Sequence, residues 1–185
     1  MKTRRKIYWD TTCWLAWLND ERSIWPASVM TGIQDVVYDA ETNEAILFTS
    51  AGTRGEIYMG RLDLDKKTMW ANLMRRSNVQ EISADPRIYD RASAIREYHD
   101  ARGQKIKLPD ATHLATAILY RADEFQTMDG LQAKGSKHRK LLSLNGNVAG
   151  YNLKIVHPYP RNNPPAQIVG VRGPLFPENN GGTQK

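Results

Sequence analysis

The sequence predicts an α/β fold in which helices cover both faces of a central parallel sheet. Short apolar runs alternate with longer segments whose apolar residues recur at helical spacing. The connections between the runs are long enough for parallel strand pairing. The length of 185 residues suits one domain. Strands that alternate with helices in this way are typical of a layered α/β protein.

The first half of the chain contains two strand-like runs, each followed by helical patterns. Residues 6–10 form the first run, and Thr11, a good helix-capping type, predicts a helix directly after it. Ser28 is the predicted cap of a second helix. Residues 45–49 read as a buried strand, and Thr53 is predicted to open the next helix.

The second half continues the alternation. Pro109 is expected at the start of a compact apolar helix, because proline suits a first helical position. The basic segment 129–142 is compatible with another helix. The full set of predicted elements here is helices over residues 69–74, 86–103 and 109–122, and strands over residues 79–82, 124–127 and 153–156.

Composition limits the functional classes. The formal net charge is +6 and the isoelectric point about 9.5, which favours an anionic partner. Cys13 is the single cysteine, so we expect neither an internal disulfide nor a zinc knuckle, in agreement with a cytoplasmic protein. No run approaches the roughly 20 apolar residues that span a bilayer, so we expect no membrane segment.

The end of the chain differs in composition from the rest. Six of the nine prolines lie beyond residue 157, and the last residues read ENNGGTQK. We therefore predict a compact domain over residues 1–157 and an extended or disordered tail over residues 158–185. The tail is interpreted either as an appendage without function or as an arm that contacts a partner.

Four acidic residues occupy positions at which parallel α/β folds bind ligands. Asp10, Glu56 and Asp129 each come after a predicted strand, and ligands bind beyond the carboxyl ends of such strands. Asp110 begins the apolar helix that leads into the strand before Asp129. Carboxylates gathered at one place repel each other unless a cation joins them, and oxygen ligands suit Mg²⁺ or Mn²⁺.

Each acid also has an ordinary structural explanation. Asp10 is suited to cap the first helix. Thr53 and Glu56 fit the S/T-x-x-E capping box. A negative charge such as that of Asp110 is favourable at a helix N-terminus, and Asp129 precedes Gly130 in a turn-like pair. The four acids together are more informative than any one of them.

Three motifs resemble those of PIN domains. WDTTCWLAWL resembles their opening strand, acid and hydroxyl residue, and TSAGTRGEIYMG resembles the second motif, in which Glu56 matches the glutamate. LPDATHLATAILYRADEFQTMD is similar to the most specific stretch, in which Asp110 and Asp129 match the acids and Thr127 the hydroxyl residue beside the last acid. The resemblance extends over residues 6–157.

The resemblance implies a three-layer PIN fold and an Mg²⁺- or Mn²⁺-dependent endoribonuclease that cleaves RNA by in-line attack of a metal-activated water. Asp10, Glu56, Asp110 and Asp129 would be both the catalytic residues and the metal ligands. Small bacterial members are commonly VapC-like toxins, which dimerise and are inhibited by an antitoxin protein. Two features depart from that pattern: the long segment between Asp10 and Glu56, and the proline-rich tail.

Further residues are candidates for supporting roles. Thr11, Thr127 and His113 are predicted to support the acidic site, although helix capping or packing would also explain them. Basic residues near the acids could contact phosphate, although exposed charge is the simpler interpretation. These RNA-binding candidates are Arg54, Lys137, Arg139 and Lys140.

Two other functions stay open on sequence grounds. The first is a non-catalytic PIN-like module that binds RNA or protein. The second is a receiver-like or phosphatase-like domain, which the lack of a second acid beside Asp10 disfavours. Walker A, GxGxxG, HExxH and GxSxG motifs do not occur, so the corresponding enzyme classes have no support.

Overall fold

A computed structural model describes residues 3–59, 62–131 and 140–165. In these ranges strands and helices alternate as expected. The strands are β1 (Arg5–Trp9), β2 (Ala45–Ser50), β3 (Val79–Ile82), β4 (Glu124–Gln126) and β5 (Ile155–Val156). The helices are α1 (Thr11–Leu18), α2 (Ala27–Glu41), α3 (Ala51–Met59), α4 (Leu64–Leu73), α5 (Pro86–Asp100) and α6 (Leu108–Leu119), with a short 3-10 helix at Leu141–Leu144.

The five strands form one parallel sheet in the order β3-β2-β1-β4-β5. Strand β1 is central, and its Ile7 is in register with Leu47 of β2 and Glu124 of β4. Because all strands run the same way, their carboxyl ends lie along one edge. The predicted fold class, helices on both faces of a parallel sheet, is confirmed.

The side chains of β1 point alternately into two apolar cores on opposite faces of the sheet. Trp9 points to the face covered by α1, α2 and α4. There the ring centroids of Trp9 and Trp14 are 4.9 Å apart, and those of Trp14 and Trp70 are 4.7 Å apart. Tyr8 points to the other face, where it stacks on Phe125 at 5.0 Å. Successive side chains of a strand point to opposite faces, so one strand serves both cores.

Three helix starts differ from the prediction. Helix α4 begins at Leu64, five residues before the expected start at residue 69. Helix α2 begins at Ala27 after Pro26, so Ser28 lies inside the helix and does not cap it. Helix α3 begins at Ala51, directly after the last residue of β2, with no loop between them. Thr53 is therefore inside α3, where its hydroxyl lies 2.6 Å from that of Thr49, and the predicted capping box is wrong.

The remaining boundaries are close to those expected. Pro109 occupies the second position of α6, after Leu108. Only the ends of the basic segment 129–142 are described, and they form a turn and the beginning of the 3-10 helix, while residues 132–139 lie outside the described ranges. None of the helices in the described ranges is long and apolar enough to cross a membrane.

The segment after β5 packs on the domain up to residue 161. Tyr159 is buried and its hydroxyl donates to Glu124 of β4. A side chain at Gly32 of α2 would overlap the Tyr159 backbone. The Arg161 backbone N–H donates to Asp35 of α2 at 2.8 Å. A domain boundary at residue 157 stays a prediction, while the described packing includes Tyr159 and Arg161.

We expect Trp14→Ala to lower the free energy of unfolding by about 3–5 kcal/mol, because it opens a cavity between Trp9 and Trp70. Trp14→Phe is the matched control: it keeps most of the apolar volume and removes a buried indole N–H that has no hydrogen-bond partner among the described residues. Urea unfolding of both variants measures the difference. Equal midpoints for Trp14→Ala and wild type would contradict the packing.

Candidate functional site

Asp10 lies at the carboxyl end of the central strand, and its carboxylate is buried. Oδ1 accepts hydrogen bonds from the Thr12 and Cys13 backbone N–H groups at 3.1 and 3.2 Å and from the Thr12 hydroxyl at 2.7 Å. Asp10 is thus the N-cap of α1, as the structural explanation of this residue predicted. Burial raises the pKa of the Asp10 carboxyl, and the hydrogen bonds from Thr127 and Thr12 oppose that effect.

Thr127 connects Asp10 to Asp129. Its hydroxyl donates to Asp10 Oδ2 at 2.6 Å and accepts the Asp129 backbone N–H at 2.9 Å. The Asp129 carboxylate is itself engaged, because Lys140 Nζ lies 3.1 Å from Oδ1 and the Leu141 backbone N–H donates to Oδ2 at 3.0 Å. One buried hydroxyl therefore sets the spacing between two strand-end acids.

Glu56 reaches the same edge from α3. It lies in the second turn of this helix, because α3 begins at Ala51, whereas the first turn was predicted. The Thr11 hydroxyl donates to Glu56 Oε2, and His113 Nε2 lies 3.6 Å from the same oxygen. The imidazole of His113 is the main influence that lowers the pKa of the Glu56 carboxyl; burial opposes it and the Thr11 hydrogen bond adds to it.

Asp110 lies in the first turn of α6 and is partly buried. Burial raises the pKa of its carboxyl, His113 opposes the increase, and the negative charges of Asp129 and Asp10 add to it. No hydrogen bond among the described residues reaches this carboxylate. The fold thus brings Asp110, Asp10 and Asp129 within electrostatic range of one another, while Glu56 is linked to Asp10's helix through Thr11.

The donor set suits a divalent cation in its chemistry. All four acids supply carboxylate oxygens, and a cation would relieve both the burial and the repulsion from Asp129 and Asp10 that raise the pKa of Asp110. The side chains are not arranged as a finished site: within residues 3–59, 62–131 and 140–165, no three His, Cys, Asp or Glu side chains could hold a metal ion as they stand. Asp129 would have to exchange Lys140 for a cation.

Two polar residues at this edge were missed by sequence reasoning. Tyr8 of β1 is buried, and its hydroxyl lies 2.7 Å from His113 Nδ1 and accepts the Ser50 backbone N–H at 3.1 Å. The Ser50 hydroxyl lies 3.2 Å from the same imidazole nitrogen. Burial raises the pKa of the Tyr8 phenol, which keeps its proton. A phenol two residues before Asp10, between the apolar residues Ile7 and Trp9, was the available signal.

The predicted RNA-binding residues have different positions. Arg54 is paired with Glu81, to which its Nε donates at 2.9 Å. Lys140 lies against Asp129. Lys137 and Arg139 lie outside the described residues. An RNA-binding role for any of these residues stays a prediction.

Comparison with known proteins identifies the family. The family model for the PIN domain matches residues 7–136, which include the last three residues of β1 and the four acids. The chain therefore belongs to the PIN domain family. Comparison with curated protein sequences finds no significant match.

Solved structures show the same fold at low sequence identity. A chain of VapBC2 from Rickettsia felis, solved bound to a fragment of promoter DNA, matches with a TM-score of 0.58 at 13% identity, over 82% of this chain and 98% of the other. The toxin VapC20 of Mycobacterium tuberculosis, which cleaves the sarcin-ricin loop, matches with a TM-score of 0.51 at 18% identity, over 67% and 90%. At these identities the likeness concerns the fold.

We expect Thr127→Val to lower the free energy of unfolding by about 1–3 kcal/mol, because it leaves Asp10 Oδ2 and the Asp129 N–H without their buried partner. Thr127→Ser keeps both hydrogen bonds and should lose only about 0.8 kcal/mol for the missing methyl group. Chemical denaturation compares the two variants. If valine is tolerated as well as serine, the hydroxyl does not couple the acids.

Proposed function

We propose that the protein is a metal-dependent endoribonuclease of the PIN class and the toxin of a toxin–antitoxin pair. The observation that carries the proposal is the carboxyl edge of the sheet. There Asp10 and Asp129 share Thr127, and Asp110 experiences the charge of both acids. Membership of the PIN family supports nuclease chemistry at this edge.

Asp10, Glu56, Asp110 and Asp129 would hold one or two Mg²⁺ or Mn²⁺ ions. A divalent ion supplies an activated water and stabilises the charge that develops on a phosphate during in-line attack. The protein contributes carboxylates that hydroxyl groups hold in place: Thr127 and the start of α1 hold Asp10, and Thr11 holds Glu56, while Asp129 would have to release Lys140. The products would carry a 3′-hydroxyl and a 5′-phosphate.

RNA is the substrate that the composition and the relatives support. The net charge of +6 favours a polyanion. The structural neighbour VapC20 is described as cleaving the sarcin-ricin loop, an RNA element. The basic surface attracts the phosphate backbone, while metal ions would neutralise the acidic centre.

A protein partner is supported by exposed apolar side chains. Met59 and Leu64, at the end of α3 and the start of α4, are each 77% exposed, and Tyr58 is 42% exposed. Exposed apolar groups mark an interaction surface where they form a contiguous patch. We propose that an antitoxin or a second copy of this chain contacts these side chains, and that the protein acts in the cytoplasm.

A non-catalytic PIN-like binding module is the second candidate. The observation in its favour is that the described Asp129 carboxylate is already neutralised by Lys140 and by a backbone N–H. Binding of Mn²⁺, measured by isothermal titration calorimetry, separates the two candidates. The nuclease binds the ion and the module does not.

We expect Asp10→Asn and Asp110→Asn each to reduce RNA cleavage by at least about 100-fold, because metal-ion stabilisation of the transition state amounts to several kcal/mol. Cleavage of an RNA panel with Mg²⁺, Mn²⁺ or EDTA measures the loss. Asparagine also caps helices, but its amide nitrogen cannot accept the Thr127 hydroxyl as Asp10 Oδ2 does, so metal-free Asp10→Asn should stay folded with a somewhat lower unfolding temperature, which circular dichroism checks.

Asp90→Asn is the matched control, since Asp90 lies exposed on α5. It should cleave at the wild-type rate. Cleavage in EDTA equal to that in Mn²⁺, or full activity of pure Asp10→Asn, would refute the proposed site.

The toxin assignment has its own test. We expect a short reading frame for a DNA-binding protein beside or overlapping this gene. Expression of the wild-type chain alone should arrest growth, expression of Asp10→Asn should not, and co-expression of the neighbour should restore growth. Normal growth of cells that contain soluble wild-type protein, together with the lack of such a neighbouring gene, would contradict the toxin assignment. The nuclease assignment would then depend on the cleavage experiment alone.

A further inference from the structure

The two carboxylate oxygens of Glu56 have different contacts. Oε2 accepts the Thr11 hydroxyl and lies 3.6 Å from His113 Nε2, whereas no donor among the described residues contacts Oε1. The far side of the imidazole is enclosed, because Nδ1 lies 2.7 Å from the Tyr8 hydroxyl and 3.2 Å from the Ser50 hydroxyl. His113 therefore bridges a buried polar cluster and one particular oxygen of Glu56.

The hydrogen-bond pattern around Tyr8 determines which imidazole nitrogen carries the proton. The Tyr8 oxygen accepts the Ser50 backbone N–H, and His113 Nδ1 at 2.7 Å is a closely placed acceptor for the phenol hydrogen. A proton on Nδ1 would displace the phenol hydrogen from this acceptor and turn it toward the Ser50 or Thr49 hydroxyl. Nδ1 is therefore the acceptor, and Nε2 carries the hydrogen.

The contact with Glu56 leads to the same assignment independently. With Nε2 unprotonated, its lone pair would face a carboxylate oxygen at 3.6 Å. With Nε2 protonated, an N–H dipole faces that oxygen. Both sides of the ring thus favour the Nε2–H tautomer.

We propose that His113 is a positioning residue that Tyr8 and Ser50 hold as the Nε2–H tautomer, so that His113 and Thr11 together fix Glu56 Oε2 and leave Oε1 for the cation. The orientation of Glu56 toward a cation rests on the proposed function, whereas the tautomer does not. Five elements take part: β1, β2, α1, α3 and α6. Partners that orient metal-binding side chains typically change metal affinity 10- to 100-fold when they are removed.

The tautomer is tested on the metal-free wild-type protein by ¹⁵N NMR of labelled histidine. The expected spectrum has an unprotonated Nδ1 and a protonated Nε2 for His113. The double variant Tyr8→Phe with Ser50→Ala removes both hydroxyls that face Nδ1 and should lose this preference. A protonated Nδ1 in the wild type, or an unchanged tautomer in the double variant, would overturn the role of Tyr8 and Ser50.

The orientation of Glu56 is tested by the Mn²⁺ dissociation constant. His113→Leu cannot donate and should weaken Mn²⁺ binding about 10- to 100-fold. His113→Gln, whose amide N–H can replace Nε2–H, should recover most of the affinity. His99→Leu is the control: it removes another buried imidazole, which contacts Gln104 and Tyr98, and should leave the affinity unchanged.

The outcomes separate this proposal from the proposed function. If wild type binds Mn²⁺ and His113→Leu, still folded by circular dichroism, binds it equally well, His113 does not position Glu56. If wild type binds no Mn²⁺, the proposed function fails, and the orientation of Glu56 toward a cation fails with it. In that case the NMR result still decides the tautomer.

Discussion

The described structure depends on one buried carboxylate, that of Asp10, at the end of the central strand. Four hydrogen bonds hold it, from Thr12, Cys13 and Thr127, and they connect β1 to the start of α1 and to the end of β4. A buried charge is costly unless it is fully hydrogen-bonded. The turn from β1 into α1 and the end of β4 are therefore shaped to satisfy this group.

The need to satisfy the buried Asp10 carboxylate also explains why an acid can be a helix cap and a candidate ligand at the same time. Asp10 caps α1 and also presents a charge at the sheet edge that nuclease chemistry would use. Burial raises the pKa of the Asp10 and Asp110 carboxyls, because a charge is less favourable away from water. Such a cost is typical of sites in which a ligand supplies the missing interaction.

Much of the fold was predictable because the signals are local. The apolar run of β1, the apolar helix α6 and the acids that follow β1 and β4 can be recognised from periodicity and position alone. The start of α3 at Ala51 could not be predicted, since the pattern from Thr53 to Glu56 imitates a capping box. The pairing of Asp129 with Lys140 and the contact of Tyr8 with His113 depend on tertiary packing, because 105 residues separate Tyr8 from His113 in the chain.

The packing of Tyr159 against Gly32 has a practical consequence for handling the protein. Arg161 binds Asp39, which also binds Arg5 at the first residue of β1, so the chain reaches the amino edge of the sheet at this point. The acids lie at the opposite edge. A purification tag or fusion partner joined beyond Arg161 would start on the side away from the acids, whereas a truncation before Tyr159 would uncover α2 and the Glu124 side chain.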